Sequence, residues 1–280
     1  MKELPFSIQT KIDRYQPVRV GNFTLYPVTV EKARLFSMAR PALEFPQQSL
    51  PVALLNVPIL DAFYKMEMQT NAETGKITGV LLAAILALAL SLRLVDGEEP
   101  GELLSRILIV PDGADPSKLR EIGFITDTGI VSVTPRQFQR MRPIMAAQNG
   151  VELPSETANP EILEMERLMN QKEQEDLDPK LCDKIIYVAQ GNGVSEDEIY
   201  DWPILKLERH TAILTRKADY AAVQLASMTG MVQFKGGNPV PSPYFAKAKT
   251  GLRSMRGIES AGSGAENAVR SQQTNTNDTT

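Results

Sequence analysis

Residues 207, 211, 214, 218, 221, 225 and 228 are apolar or small and recur at alternating steps of four and three, the spacing of one helical stripe. Leu207, Thr211, Leu214, Ala218, Ala221, Leu225 and Met228 therefore predict a long last helix, which Gly230 stops. A stripe of about three heptads, rich in small residues, predicts a partner helix inside the same domain; an intermolecular coiled coil is the alternative. Asp201 is placed to cap this helix, with Pro203 in its first turn. Further upstream, eleven consecutive apolar residues from Val80 to Leu90 predict a helix buried on all sides, set within residues 77–94. The run is shorter than the roughly 18–20 residues that span a bilayer.

Short alternating stretches predict strands. Val18, Val20, Phe23 and Leu25 flank Gly21-Asn22, which fits a two-residue II′ hairpin turn. Ile107-Leu108-Ile109-Val110 reads as a buried strand, and Asp127-Thr128-Gly129 reads as a second hairpin turn. Thr29 predicts the cap of a helix running to about Ala39 and stopped by Pro41. Pro58 opens a helix through Leu60, Phe63 and Tyr64, and residues 70–76 read as a polar loop. Thr134-Pro135 is a strong helix start, followed by Phe138, Met141 and Met145 on one face and closed by Gly150.

Residues 152–158 read as a linker, and Asn159-Pro160 starts a helix with Ile162, Met165 and Met169 on one side. A short apolar helix over residues 181–188 ends at Gly191-Asn192-Gly193, and Ser195 with Glu198 has a capping-box pattern. The expected fold is mainly α with small β-hairpin elements, an α+β chain. Its expected organisation is a mixed domain over residues 1–150, a linker at 151–159, a helical domain at 160–245 and a disordered tail at 246–280.

Composition narrows the function classes. Residues 152–183 hold ten acidic and three basic side chains, whereas residues 235–280 hold six basic and three acidic ones. The net charge of −4 and the lack of aromatics interleaved with Arg136, Arg140 and Arg142, or with Lys206, Arg209, Arg216 and Lys217, argue against nucleic acid as a partner. The single cysteine, Cys182, excludes an internal disulfide and is expected to be a buried, inert thiol. The N-terminal residues carry no charged-then-apolar signal pattern.

Chemistry is sparse. The one histidine, His210, cannot build a His-rich metal site and is expected on the solvated side of the last helix. Gly191-Asn192-Gly193 lacks the remainder of a dinucleotide fingerprint, and Gly262-Ser263-Gly264 lies in linker-like sequence. Glu164 with Glu166, and Glu196 with Asp197 and Glu198, read as solvated helical charge rather than catalytic pairs. No catalytic residue, metal site or cofactor is assigned. The residues singled out for partner binding are Trp202, Tyr220, Met231, Phe234 and Lys235. Met231 and Phe234, flanked by Gly230 and Gly236, read either as a contact folding back on the last helix or as an apolar anchor for a partner.

Trp202, Leu207, Arg209, Lys217 and Tyr220, then Gly230-Met231, Phe234-Lys235-Gly236 and Pro241-Ser242-Pro243, resemble proteins of bacteriophage and prophage tail-morphogenesis regions. Val133-Thr134-Pro135-Arg136-Gln137-Phe138, continuing to Gln148-Asn149-Gly150, is similar to the same group. These look like tail assembly chaperones, or proteins that occupy their place. The resemblance implies a helical, non-enzymatic protein in the cytoplasm of an infected bacterial host. Its implied partner is the long helical tape measure protein, kept soluble until tail tube subunits polymerise around it. The tail tube protein is a second implied partner, homo-oligomers are open, and neither nucleic acid nor membrane is involved. The alternative is a virion structural protein, such as an adaptor or baseplate component.

Overall fold

A computed structural model describes residues 4–74, 79–94, 105–153 and 180–229. Among these residues the chain is α+β, with eight α-helices and two small antiparallel sheets. Two compact units are formed: Met1–Asp183 with Ser195–Lys206, and Lys184–Val194 with Leu207–Thr280.

The first unit begins with α1 (Phe6–Asp13) and a hairpin of β1 (Val18–Val20) and β2 (Phe23–Leu25). Val20 faces Phe23 across Gly21-Asn22, and only Gly21 has positive φ, at 60°, as a II′ turn requires. A 3₁₀ turn at Val30–Lys32 leads into α2 (Ala33–Glu44). Thr29 makes no side-chain cap here. Pro41 does not stop α2, which runs three residues further because Ala42 and Leu43 are fully buried, and that burial outweighs one missing amide bond.

Helix α3 (Ile59–Thr74) follows Pro58, whose carbonyl accepts the Ala62 N–H. It extends through Thr74 where a polar loop was expected, since polar side chains suit a helix that is already nucleated. Helix α4 (Val80–Ser91) starts after Gly79, which adopts φ 74°, and buries every residue from Ala83 to Ser91. It packs against α2, α3 and α5 (Pro135–Gln148) and forms the centre of the core. Thr134 caps α5 with Pro135 in its first turn, and a reciprocal capping box with Gln137 completes the start.

A three-stranded sheet of order β3 (Ile107–Pro111), β4 (Leu119–Thr126) and β5 (Gly129–Val133) lies against this core through β4. Asp127 and Thr128 form its second hairpin turn. Strand β3 is an edge strand rather than a buried one: Leu108 and Ile109 are 39% and 44% exposed. A run of apolar residues does not reveal how many neighbours a strand has, whereas Pro111 at its end fits an edge. Fully buried Phe63, Phe124 and Phe138 each contribute about 1.5–3 kcal/mol of apolar burial.

Buried polar groups tie distant segments of this unit together. Asp61 accepts the Leu119 N–H at 2.7 Å and lies 3.5 Å from Lys65 Nζ, which fastens β4 to α3. Asn149 accepts the Val28 N–H and donates to the Met145 carbonyl, both at 2.8 Å. Gln148 donates to the Leu25 carbonyl at 3.2 Å. Arg142 donates to the Leu43 carbonyl at 2.8 Å and to that of Phe45, closing the C-terminal end of α2. Burial pushes the Arg142 guanidinium down to about 10, so it stays charged at neutral pH.

In the second unit, the larger part of α6 (Leu181–Asn192) meets the larger part of α8 (Ile204–Met228); both helices begin in the first unit. Gly193, at φ 68°, closes α6 with its N–H on the Ala189 carbonyl. Gly191 permits the close approach: a Cβ there would lie 2.5 Å from Leu214 Cδ1. Lys184 and Glu208 pair at 3.0 Å, and Asn192 Nδ2 lies 2.9 Å from His210 Nδ1.

Candidate functional site

The residues singled out for partner binding occupy different surroundings. Trp202 follows the short helix α7 (Glu196–Tyr200) in the first unit and is 7% exposed. Its N–H donates to the Ile199 carbonyl at 3.0 Å, and its own carbonyl accepts the Val30 N–H at 2.8 Å. Lys206 Nζ sits 3.4 Å from the centre of its ring, a cation–π contact. Burial lowers the Lys206 pKa, opposed by the nearby Glu198 carboxylate. Trp202 thus anchors the start of α8 and is largely enclosed. Asp201 does not cap α8; it ends α7 instead. The Ile204 N–H is taken by the Val28 carbonyl at 2.9 Å, so another segment's backbone supplies what a side-chain cap would have supplied.

Tyr220 lies on α8 in the second unit and is half-buried. Met231, Phe234 and Lys235 lie outside the described residues, as do Glu164 and Glu166. The described residues thus include two of the five, Trp202 in the first unit and Tyr220 in the second.

The apolar stripe of α8 divides into two stretches. Its proximal part meets α6 through Leu214, and Leu207 there is fully buried. Farther along, Ala218 and Ala221 are exposed, Leu225 is 64% exposed and Met228 is 80% exposed. Length explains the division. At about 1.5 Å per residue, α6 spans about 18 Å and α8 about 37 Å, so α6 cannot cover the whole stripe. At the end, Thr229 Oγ1 donates to the Leu225 and Ala226 carbonyls at 3.0 and 3.1 Å, and its N–H donates to the Leu225 carbonyl. The result is a hydrogen-bonded helix end presenting an uncovered apolar strip. The sequence pattern carried this signal, because the stripe is continuous for longer than α6.

Other candidates resolve into structural roles. Ser195 caps α7 through a 3.2 Å bond from the Glu198 N–H, and Glu196, Asp197 and Glu198 occupy its first turn, where carboxylates suit the helix N-terminus. Arg136 and Arg140 are exposed on α5, whereas Arg142 turns inward. Cys182 is exposed rather than buried, because it lies in the first turn of α6, ahead of the buried stripe that begins at Ile185. A cleft of about 160 Å³ between the β1–β2 turn and α5, lined by Gly21, Asn22, Gln137 and Arg140 among others, is smaller than the ~300–1,000 Å³ usual for small-molecule sites. Among the described residues no group of three or more His, Cys, Asp or Glu could hold a metal ion, and no helix is long and apolar enough to cross a membrane. Comparison with protein families, with curated proteins and with solved structures finds no match.

Proposed function

We propose that the chain is a non-enzymatic binding protein whose uncovered α8 stripe receives an apolar face of a helical client, in the manner of a phage tail assembly chaperone. The observation that carries this reading is the exposure of Leu225 and Met228 on the stripe that is buried at Leu207. An amphipathic client helix would lay its own apolar stripe along Ala218, Ala221, Leu225 and Met228. The small alanines allow close approach, and the two larger side chains supply anchor area. Met231, Phe234 and Lys235 follow soon after in sequence and are proposed to contact the same client. The resemblance of residues 201–244 to tail-morphogenesis proteins makes the tape measure protein the proposed client, with the tail tube protein as a further partner, in the cytoplasm of the infected host.

The test is co-purification of this chain with the tape measure protein of the same phage, together with mass spectrometry of finished particles. Recovery of the client, with this chain absent from particles, supports the chaperone reading. Presence in particles at fixed stoichiometry replaces it with an adaptor or baseplate role.

A further inference from the structure

Strand β3 has a self-complementary edge that no other strand pairs with among the described residues. The Ile125 N–H donates to the Arg106 carbonyl and the Asp112 N–H donates to the Lys118 carbonyl. Backbone groups alternate in direction along a strand, so positions 106, 108, 110 and 112 face β4. Ile107, Ile109 and Pro111 face the other way, where no strand pairs among the described residues. Pro111 lacks an N–H; at an outward position it forfeits no bond to β4, and across a paired edge it accepts without donating. Four successive apolar residues form the strand before Pro111, with no charge inside it to discourage pairing.

The two ends of the strand carry opposite charges: Arg106 just before it and Asp112 just after it. We propose that β3 pairs antiparallel with β3 of a second copy, about a two-fold axis through Ile109, joining two three-stranded sheets into one. In this register Ile109 lies opposite its own counterpart, Leu108 opposite Val110, Ile107 opposite Pro111 and Arg106 opposite Asp112. An isologous interface demands this reciprocity, in which each contact occurs twice. The outward N–H groups of Ile107 and Ile109 then meet the carbonyls of Pro111 and Ile109 in the second copy. A register placing Ile107 opposite Ile109 would use the same donors. It would set Arg106 against Val110 and leave both charges unmatched, so the charges select the first register. Leu108 and exposed Ile130 flank Gly123 on one face of the sheet, so pairing also adds apolar surface there.

The test is light scattering on the full chain from low micromolar to submillimolar concentration. A dimer is expected. Arg106→Asp, and separately Asp112→Arg, should each weaken it about tenfold or more by opposing like charges, and mixing the two variants should restore a mixed dimer. Asp112 Oδ1 also holds the Ala114 N–H, so the second variant is checked for native circular dichroism. A register test independent of that loop uses Ile109→Cys in a Cys182→Ser background, which should cross-link two copies under mild oxidation. Ile107→Cys in the same background should not, because its counterpart lies four residues away along the paired strand. A monomer at submillimolar concentration overturns the proposal. So does a dimer that Arg106→Asp leaves unchanged, or one that cross-links at 107 and not at 109.

Discussion

Replacing Asn149 with alanine should loosen the first unit more than its single small side chain implies. The side chain is 4% exposed and makes two 2.8 Å bonds, accepting from the Val28 N–H and donating to the Met145 carbonyl. In Asn149→Ala, the Val28 N–H remains buried with no acceptor from position 149, which costs about 1–3 kcal/mol, and loss of the second bond adds about 0.5–1.5 kcal/mol. The expected destabilisation is therefore about 1.5–4.5 kcal/mol. Urea unfolding followed by tryptophan fluorescence is a direct assay. The single Trp202 is bonded to Val30, and the Val28 carbonyl holds Ile204, so the probe sits on the segment that Asn149 secures. A loss smaller than about 0.5 kcal/mol, the size of an ordinary surface change, would refute the reasoning. Asn149→Asp gives a sharper contrast. Its carboxylate still accepts from Val28 but faces the Met145 carbonyl, so burial and this neighbour raise its folded pKa. Its stability should be greatest below the ordinary carboxylate range and should fall as pH rises through the raised value.

Two further predictions use other sites. Gly191→Ala should gain less than the up to about 1 kcal/mol that helix propensity offers, because the Leu214 methyls that its Cβ would meet must turn aside. In a Leu214→Ala background the full gain should return, and thermal melts that shift equally in both backgrounds would contradict the packing account. The Asp115 carboxylate is lowered to about 2 by the Ser117 hydroxyl first, then by the Lys118 ammonium and the Ser117 N–H. Its folded pKa is depressed, so its contribution is present above the ordinary value and is lost as pH falls through about 2. An NMR titration of Asp115 should show that midpoint, and Ser117→Ala should move it upward; a midpoint near the usual ~3.9 in the unaltered chain would count against the geometry.

Local signals in the sequence carried much of the fold. The Gly21-Asn22 turn, the Thr134-Pro135 start and the apolar run of α4 each have one dominant physical meaning, and each formed as expected. What failed depended on neighbours far away in the chain. Pro41 is a helix breaker by its own chemistry, but burial of Ala42 and Leu43 overrides it. Asp201 has the right residue type for a cap, but Val28 reached Ile204 first. Arg142 stands close to Arg136 and Arg140 in the sequence, and only the end of α2 gives it an inward role. The stripe on α8 was legible as a pattern, while its division into covered and uncovered stretches required the length and position of α6.

The exposed end of the α8 stripe is proposed as the binding face. Its most direct test is Leu225→Lys together with Met228→Lys, measured for stability and for capture of the phage tape measure protein. Both side chains are exposed, so melting should stay within about 0.5 kcal/mol of the parent. Capture should fall about tenfold or more, as loss of two anchor side chains requires. Unchanged capture by a normally folded double variant would contradict the account.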